Sequence, residues 1–333
     1  FMYKKTMFFC FLAGLISSVS AQTYDDAPAD FFFGDDVTSK PAMMSDGFIS
    51  TGMDERGGSM NPENDEFYYT LRHGSDISVI LVSRFRDGFW EFPEVASFSG
   101  KYRDASPFVS PDGRYLYFSS RRPVSDDDSF KNWNLWRCRR SSDGTWEEPE
   151  LLSFCSEERN ELSVSVDRDG VVYFHADYEG ETVSLSREAF DIYYAEPLPD
   201  GEWSEIEKLD SSISTEHRES YPAISPDGRR LVFSSNRSQG HGGTDLYLSL
   251  KKGEKWGRPV NLGRAVNSGS HECCASFTAD GRYLLFSSSR KKGEPDKMEY
   301  STIKKWILGP GNGSGDIWYI DAGELELFPE TQP

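Results

Sequence analysis

Four stretches of the chain repeat one order of apolar and polar positions: SPDGRYLYFSSRR from Ser110, VDRDGVVYFHAD from Val166, SPDGRRLVFSSNR from Ser225 and TADGRYLLFSSSR from Thr278. Each begins with a turn built on Asp-Gly and continues into alternating large apolar residues, as Leu116 and Phe118 show. That is the signature of a strand leaving a tight hairpin. A fifth, degenerate copy runs from Asn61-Pro62-Glu63-Asn64 into 65–69, with the turn chemistry kept and the Gly lost. The anchors Glu63, Asp112, Asp169, Asp227 and Asp280 lie 49, 57, 58 and 53 residues apart, one supersecondary unit per interval.

Within each unit a short apolar strand precedes the turn and a second comes after it. Third strands are expected at 134–139, 191–195, 245–249 and 316–321, and fourth strands are marked by Trp90, Trp146, Trp203 and Trp256. Pro93, Pro149 and Pro259 stand three residues after three of these Trp, and Pro suits an outermost strand with no further neighbour. Four strands per unit, repeated, predict an all-β propeller of five four-stranded antiparallel blades. The last unit has no Trp-Pro strand after Asp321. A candidate for it lies at the other end: Pro41 in 39–44 precedes Glu63 by 22 residues, against Pro-to-Asp intervals of 19, 20 and 21 elsewhere. The N-terminal strand is therefore expected to complete the last blade and close the ring. The predicted organisation is repeats at about 55–103, 104–160, 161–218, 219–271 and 272–327, with 36–54 joining the last blade, a flexible segment at 22–35 and a tail at 328–333.

Composition agrees: 14% aromatic residues, with 29 Gly and 17 Pro at short intervals, suit many short strands joined by turns. At the N-terminus, Lys4 and Lys5 precede an apolar run at 7–16 too short to span a bilayer, and Val19-Ser20-Ala21 offers a cleavage pattern. A signal peptide at 1–21 and a periplasmic or extracellular destination are expected, with no membrane span in the mature chain. Net charge is −19, and −21 once a leader carrying two Lys is removed, which argues against nucleic acid as a partner. Of Cys138, Cys155, Cys273 and Cys274, the first two are the candidate disulfide, although a domain of this size needs no staple.

The motif SPDGRRLVFSSNR, joined by GHGGTDLYLS at 240–249 and WGRPVNLGRAVNS at 256–268, resembles the WD40-like repeat of the TolB family, often called PD40, across about 36–327. The resemblance implies a periplasmic or extracellular propeller that contacts proteins or cell-envelope components, carbohydrate among them. The family's propeller is usually counted as six-bladed, so six blades is the alternative to five.

Eight residues before each anchor stands an acid: Glu55, Asp104, Glu161, Glu219 and Glu272. In a propeller this register places five carboxylates at the start of the innermost strands, around the mouth of the central channel. Like charges so gathered need compensation. Arg122, Arg237 and Arg290 recur four residues after the Phe of the second strand, and Arg103 and Arg218 directly precede two of the acids, so internal ion pairs are one solution. A calcium ion held by carboxylate oxygens is another, and a cationic ligand group a third; no other cofactor is implied. Unequal loops on the same face add Trp306, in the locally basic insertion 291–314, and Asp126-Asp127-Asp128 in 124–133.

Catalytic motifs fail on inspection. His271-Glu272-Cys273-Cys274 has Ala275 where a zinc protease needs its second His, and 240–243 lacks a helix to cradle phosphate. The preferred function is a non-catalytic binding or scaffold propeller. The alternative is a glycan-active enzyme with carboxylates at the channel mouth.

Overall fold

A computed structural model describes residues 40–125, 132–155, 158–178, 190–293 and 298–326. The expected signal peptide, the segment 22–35, the C-terminal tail and Asp126-Asp127-Asp128 lie outside the described residues. Among those described, the strands form five antiparallel sheets, each with a backbone of four strands, in sequence order in four of them. The protein is a five-bladed β-propeller.

Blade one holds Asp54–Met60, Glu66–His73 and Ile77–Arg86, with Phe89–Trp90 and Glu94–Val95 on its outer edge. Blade two holds Asp104–Val109, Tyr115–Ser120, Asn134–Arg139 and Glu150–Leu151, and blade three Glu161–Val166, Val172–Ala176, Asp191–Ala195 and Glu207–Lys208. Blade four holds Glu219–Ile224, Arg230–Ser235 and Asp245–Lys252, edged by Lys255–Trp256 and Val260–Asn261. Blade five holds Glu272–Phe277, Tyr283–Ser288 and Asp316–Asp321. Its outer strand is Ala42–Met43, paired antiparallel with Tyr319 and Trp318, so the chain's two ends close the ring. The alternative of six blades is not what this chain builds.

Of the marker Trp residues, Trp90 and Trp256 lie in short edge strands, whereas Trp146 and Trp203 sit slightly before the strands they announce. Trp146 and Trp203 make only isolated bridges, and in three blades the outer strand starts at the residue after Pro93, Pro149 or Pro259. The first position of an edge strand is where a missing N–H is tolerated. The hairpin turns behave as their sequences require. Ser110 Oγ donates to Asp112 Oδ1 at 2.6 Å, the same carboxylate accepts the Arg114 N–H at 3.0 Å, and Gly113 has φ +70°. In the degenerate copy Asn64 takes the left-handed position at φ 58°, while Asn61 Oδ1 accepts the N–H groups of Asp65 and Glu66. Asn tolerates that conformation better than other non-glycine residues, so the turn survives the lost Gly.

One apolar cluster fills each of the five gaps between blades. Phe118, Tyr68 and Ile80 join blades one and two, whereas Phe174, Phe108 and Leu135 join blades two and three. This arrangement overturns the disulfide expectation: Cys138 packs in the first of these gaps and Cys155 in the second, on opposite faces of blade two, and both thiols are free.

Around the axis, the first strands of neighbouring blades touch in an unbroken circle. Each carries a β-bulge two residues after its acid, with Gly57, Ser106, Ser163, Tyr221 and Cys274 at φ between 53° and 56°. A bulge sharpens the local twist and re-aims the strand, and here it recurs where the strands crowd together. A Cβ on Gly57 would lie 3.6 Å from Cys274 Cβ, and Ser163 Oγ donates to Ser106 Oγ at 2.9 Å across neighbouring blades. The pocket that these residues and their neighbours line holds about 20 Å³, room for about one water.

Candidate functional site

The first strands begin, the second strands end and the third strands begin on one face, which also carries the insertion of blade five. The acids stand there but do not line the mouth. Glu55, Asp104, Glu161, Glu219 and Glu272 are all 0–1% exposed. Their strand neighbours Arg56, Ser220 and Cys273 line the mouth instead, as strand alternation demands once the acids turn into the blades.

Each acid closes an internal clamp. Asp104 accepts from Ser99 Oγ at 2.7 Å, Ser120 Oγ at 2.6 Å and Arg122 at 3.1 Å. Arg122 also donates to the Phe98 carbonyl at 3.0 Å, tying the blade to the chain that enters it. Glu219 repeats the design with Thr215, Ser235 and Arg237, and Arg237 donates to the Ile213 carbonyl. Glu272 does so with Ser268, Ser288 and Arg290, whose guanidinium also reaches the Val266 carbonyl. Blades one and three lack the arginine: His73 and Tyr178 hold its register position, Glu161 accepts from Asn134 Nδ2 at 3.1 Å, and Glu55 is held by the amide and hydroxyl of Thr51. Arg122, Arg237 and Arg290 thus join the acids, whereas Arg103 and Arg218 do not. Among the described residues no three His, Cys, Asp or Glu side chains stand together as a metal site would need.

Glu55 differs in its protonation. Burial raises its pKa from 4.5 to about 7 against the pull of the Thr51 hydroxyl and amide, and nearby Asp316, itself raised from 3.8 to about 7 by burial, adds to the effect. Both acids hold a proton in the fold over a range where the unfolded chain has released it. Their contribution is therefore full below pH about 4 and is lost as pH rises toward 7. Asp167, raised to about 6 by burial, acts in the same sense, while Asp112 and Asp227, lowered chiefly by their turn serines against burial, act only under more acidic conditions. Urea midpoints are expected to fall between pH 5 and pH 8 by the equivalent of about 1–3 kcal/mol. Glu55→Gln should flatten part of that fall, and a midpoint that rises over the same interval would refute the assignment.

The mouth is a pocket of about 380 Å³, lined by Arg56, Arg72, Arg218, His271, Cys273 and Tyr221 together with serines, Thr244 and Asn236. Tyr221 is fixed by its backbone N–H, which donates to Nδ1 of buried His175 at 3.1 Å. The Cys273 thiol is lowered to about 7, first by a hydrogen bond from the Cys274 thiol at 3.1 Å and further by the charges of Arg56 and Arg218, against burial. Sequence reasoning passes over Arg56 and Arg72, and assigns Arg218 to an acid. The signal is the alternation itself: residues flanking an inward-turned acid must face the pore.

Trp306 lies on the helix Tyr300–Ile307, half-buried, with Lys291 Nζ 5.8 Å from its ring. That helix has no buried residue. Met298, Tyr300 and Leu308 are 74%, 81% and 66% exposed, and Ile307 and Met53 are exposed beside them. The Asn312 amide joins the two segments by donating to the carbonyls of Gly52 and Ile307 at 3.0 and 2.7 Å.

No protein-family model matches the chain, and no curated protein does. Among solved structures it is similar to a protein assigned as TolB from Agrobacterium tumefaciens, at 16% identity over 81% of this chain and 90% of that one, with a TM-score of 0.46. TolB from Acinetobacter baumannii is similar at 14% identity and TM-score 0.47, over 80% of this chain and 54% of that one. A thermostable family-43 glycoside hydrolase is similar at 12% identity and TM-score 0.50, over 80% of this chain and 88% of that one. At such identities the likeness extends to the fold alone. Among the described residues no helix is long and apolar enough to cross a membrane.

Proposed function

We propose that this propeller is a non-catalytic periplasmic or secreted binding module that docks a protein of the cell envelope on its loop-bearing face. The observation that carries the reading is the patch made by Met298, Tyr300, Ile307, Leu308 and Met53. Large apolar side chains exposed on and around a helix with no buried residue favour partner contact, and aromatic residues are common anchors of such contacts. Lys304 and Lys305 in the same helix give the patch a positive border on an acidic chain, which suits an acidic partner surface. The glycan-active alternative requires carboxylates open to the mouth, and the clamped acids weigh against it.

A pull-down from envelope extract compares the wild-type chain with a Met298→Ser, Tyr300→Ser, Ile307→Ser variant. A captured protein reduced about tenfold or more by the triple change is the expected result. Equal capture by both would overturn the proposal.

A further inference from the structure

The mouth pocket has a chemistry that the rest of the chain does not share. The sequence holds 55 acidic against 36 basic side chains, yet the pocket lining contains Arg56, Arg72 and Arg218 and no Asp or Glu. Arg56 is paired with Asp54 at 2.8 Å. Arg72 and Arg218 make no ion pair among the described residues, which leaves two positive charges facing the cavity.

Buried polar atoms point to the same place. Among the described residues Ser220 Oγ and Ser234 Oγ, on residues 1% and 0% exposed, have no hydrogen-bond partner, and neither has Arg218 Nε. The two serines stand directly opposite each other in the first and second strands of blade four, and both line the pocket. Buried hydroxyls and guanidinium groups are normally satisfied, so a cluster of unpartnered ones around a cavity marks where a polar ligand completes the bonding. Two further arginines stand at the matching ends of the blade-two strands: Arg103 and Arg121 both lie over the Trp133 ring, at 5.4 and 5.9 Å, and Arg121 is lowered first by burial and then by the charge of Arg103.

We infer that this pocket binds a sugar acid, its carboxylate on Arg218 and Arg72 and its ring hydroxyls on the serines, Thr244 and Asn236. Guanidinium forks match planar carboxylates, and a lining of hydroxyls and amides matches a polyol better than an apolar side chain. The volume of about 380 Å³ falls within the range of small-molecule sites. The site is separate from the apolar patch of blade five, so either proposal can fail without the other.

Calorimetric titration of the full chain at low ionic strength, with glucuronate, glucose and sulfate as probes, tests the inference. Glucuronate is expected to bind at least about tenfold more tightly than glucose, and to weaken as salt is raised. Arg218→Met and Arg72→Gln should each lower glucuronate affinity by about tenfold or more, with thermal melts recorded to confirm folding; Arg72 is half-exposed, so its change is the safer for the fold. Equal binding of glucose and glucuronate, unchanged affinity in folded variants, or sulfate binding as tightly as glucuronate would each overturn it.

Discussion

Asp104→Ala is expected to destabilise the protein by about 3–5 kcal/mol, because it leaves a buried guanidinium without its counter-charge. Arg122 is 9% exposed and also spans the Phe98 carbonyl and Ser120 Oγ, so it cannot swing into water without breaking the link between the blade and its incoming chain. Ser99 and Ser120 lose an acceptor at the same time. Adding Arg122→Met removes the orphaned charge, and the double variant should recover about 1–2 kcal/mol relative to Asp104→Ala alone. Urea denaturation of the four species of this cycle checks both numbers. Single-variant costs below about 1 kcal/mol would mean that the acids are not structural clamps.

The closure of the ring supplies the second large effect. Among the described residues Ala42 and Met43 pair with the third strand of blade five, so the lock also depends on the residues immediately after them. Met44 and Ile49 are fully buried in the cluster between blades five and one, and Ser50 Oγ both donates to the Ile317 carbonyl and accepts the Ile317 N–H, each at 3.1 Å. Met44→Ala should cost about 2–5 kcal/mol through lost transfer energy and the cavity left behind. Val95→Ala, at a half-exposed position on the outer edge of blade one, should cost less than about 0.5 kcal/mol. Chemical denaturation with both variants separates a lock from an ordinary edge, and equal costs would refute the lock. Because Met44→Ala loosens the outer strand of blade five, it should also raise concentration-dependent self-association, which light scattering would detect.

The blades are legible in the sequence because a hairpin turn and an alternating strand are local signals, repeated often enough to fix their register. Pro41 is enough to place the closing strand, since its distance from Glu63 matches the other blades. The mouth is harder to read. Counting back eight residues finds the acids correctly, but which way a side chain points depends on the bulge at the next-but-one residue and on packing between blades. Glu219 faces inward, and Arg218 and Ser220 therefore face the pore. Asn64 in place of Gly, and His73 and Tyr178 in place of the clamp arginine, show how far the repeat can drift while the same fold persists. The apolar patch is half visible: the insertion stands out for Trp306, yet its exposed residues are Met298, Tyr300 and Leu308, and Trp306 is partly covered by its own loop.

The crowded hub has a kinetic consequence. With Gly57, Ser106, Ser163, Tyr221 and Cys274 crowding the axis, and Ser163 Oγ meeting Ser106 Oγ at 2.9 Å, the hub offers a guest far less room than the mouth does. A guest that enters at the arginines is therefore expected to leave from the same side. Residence time is then governed by the rim, so lengthening or trimming the loops around it would change how quickly a guest is exchanged before changing how tightly it is held.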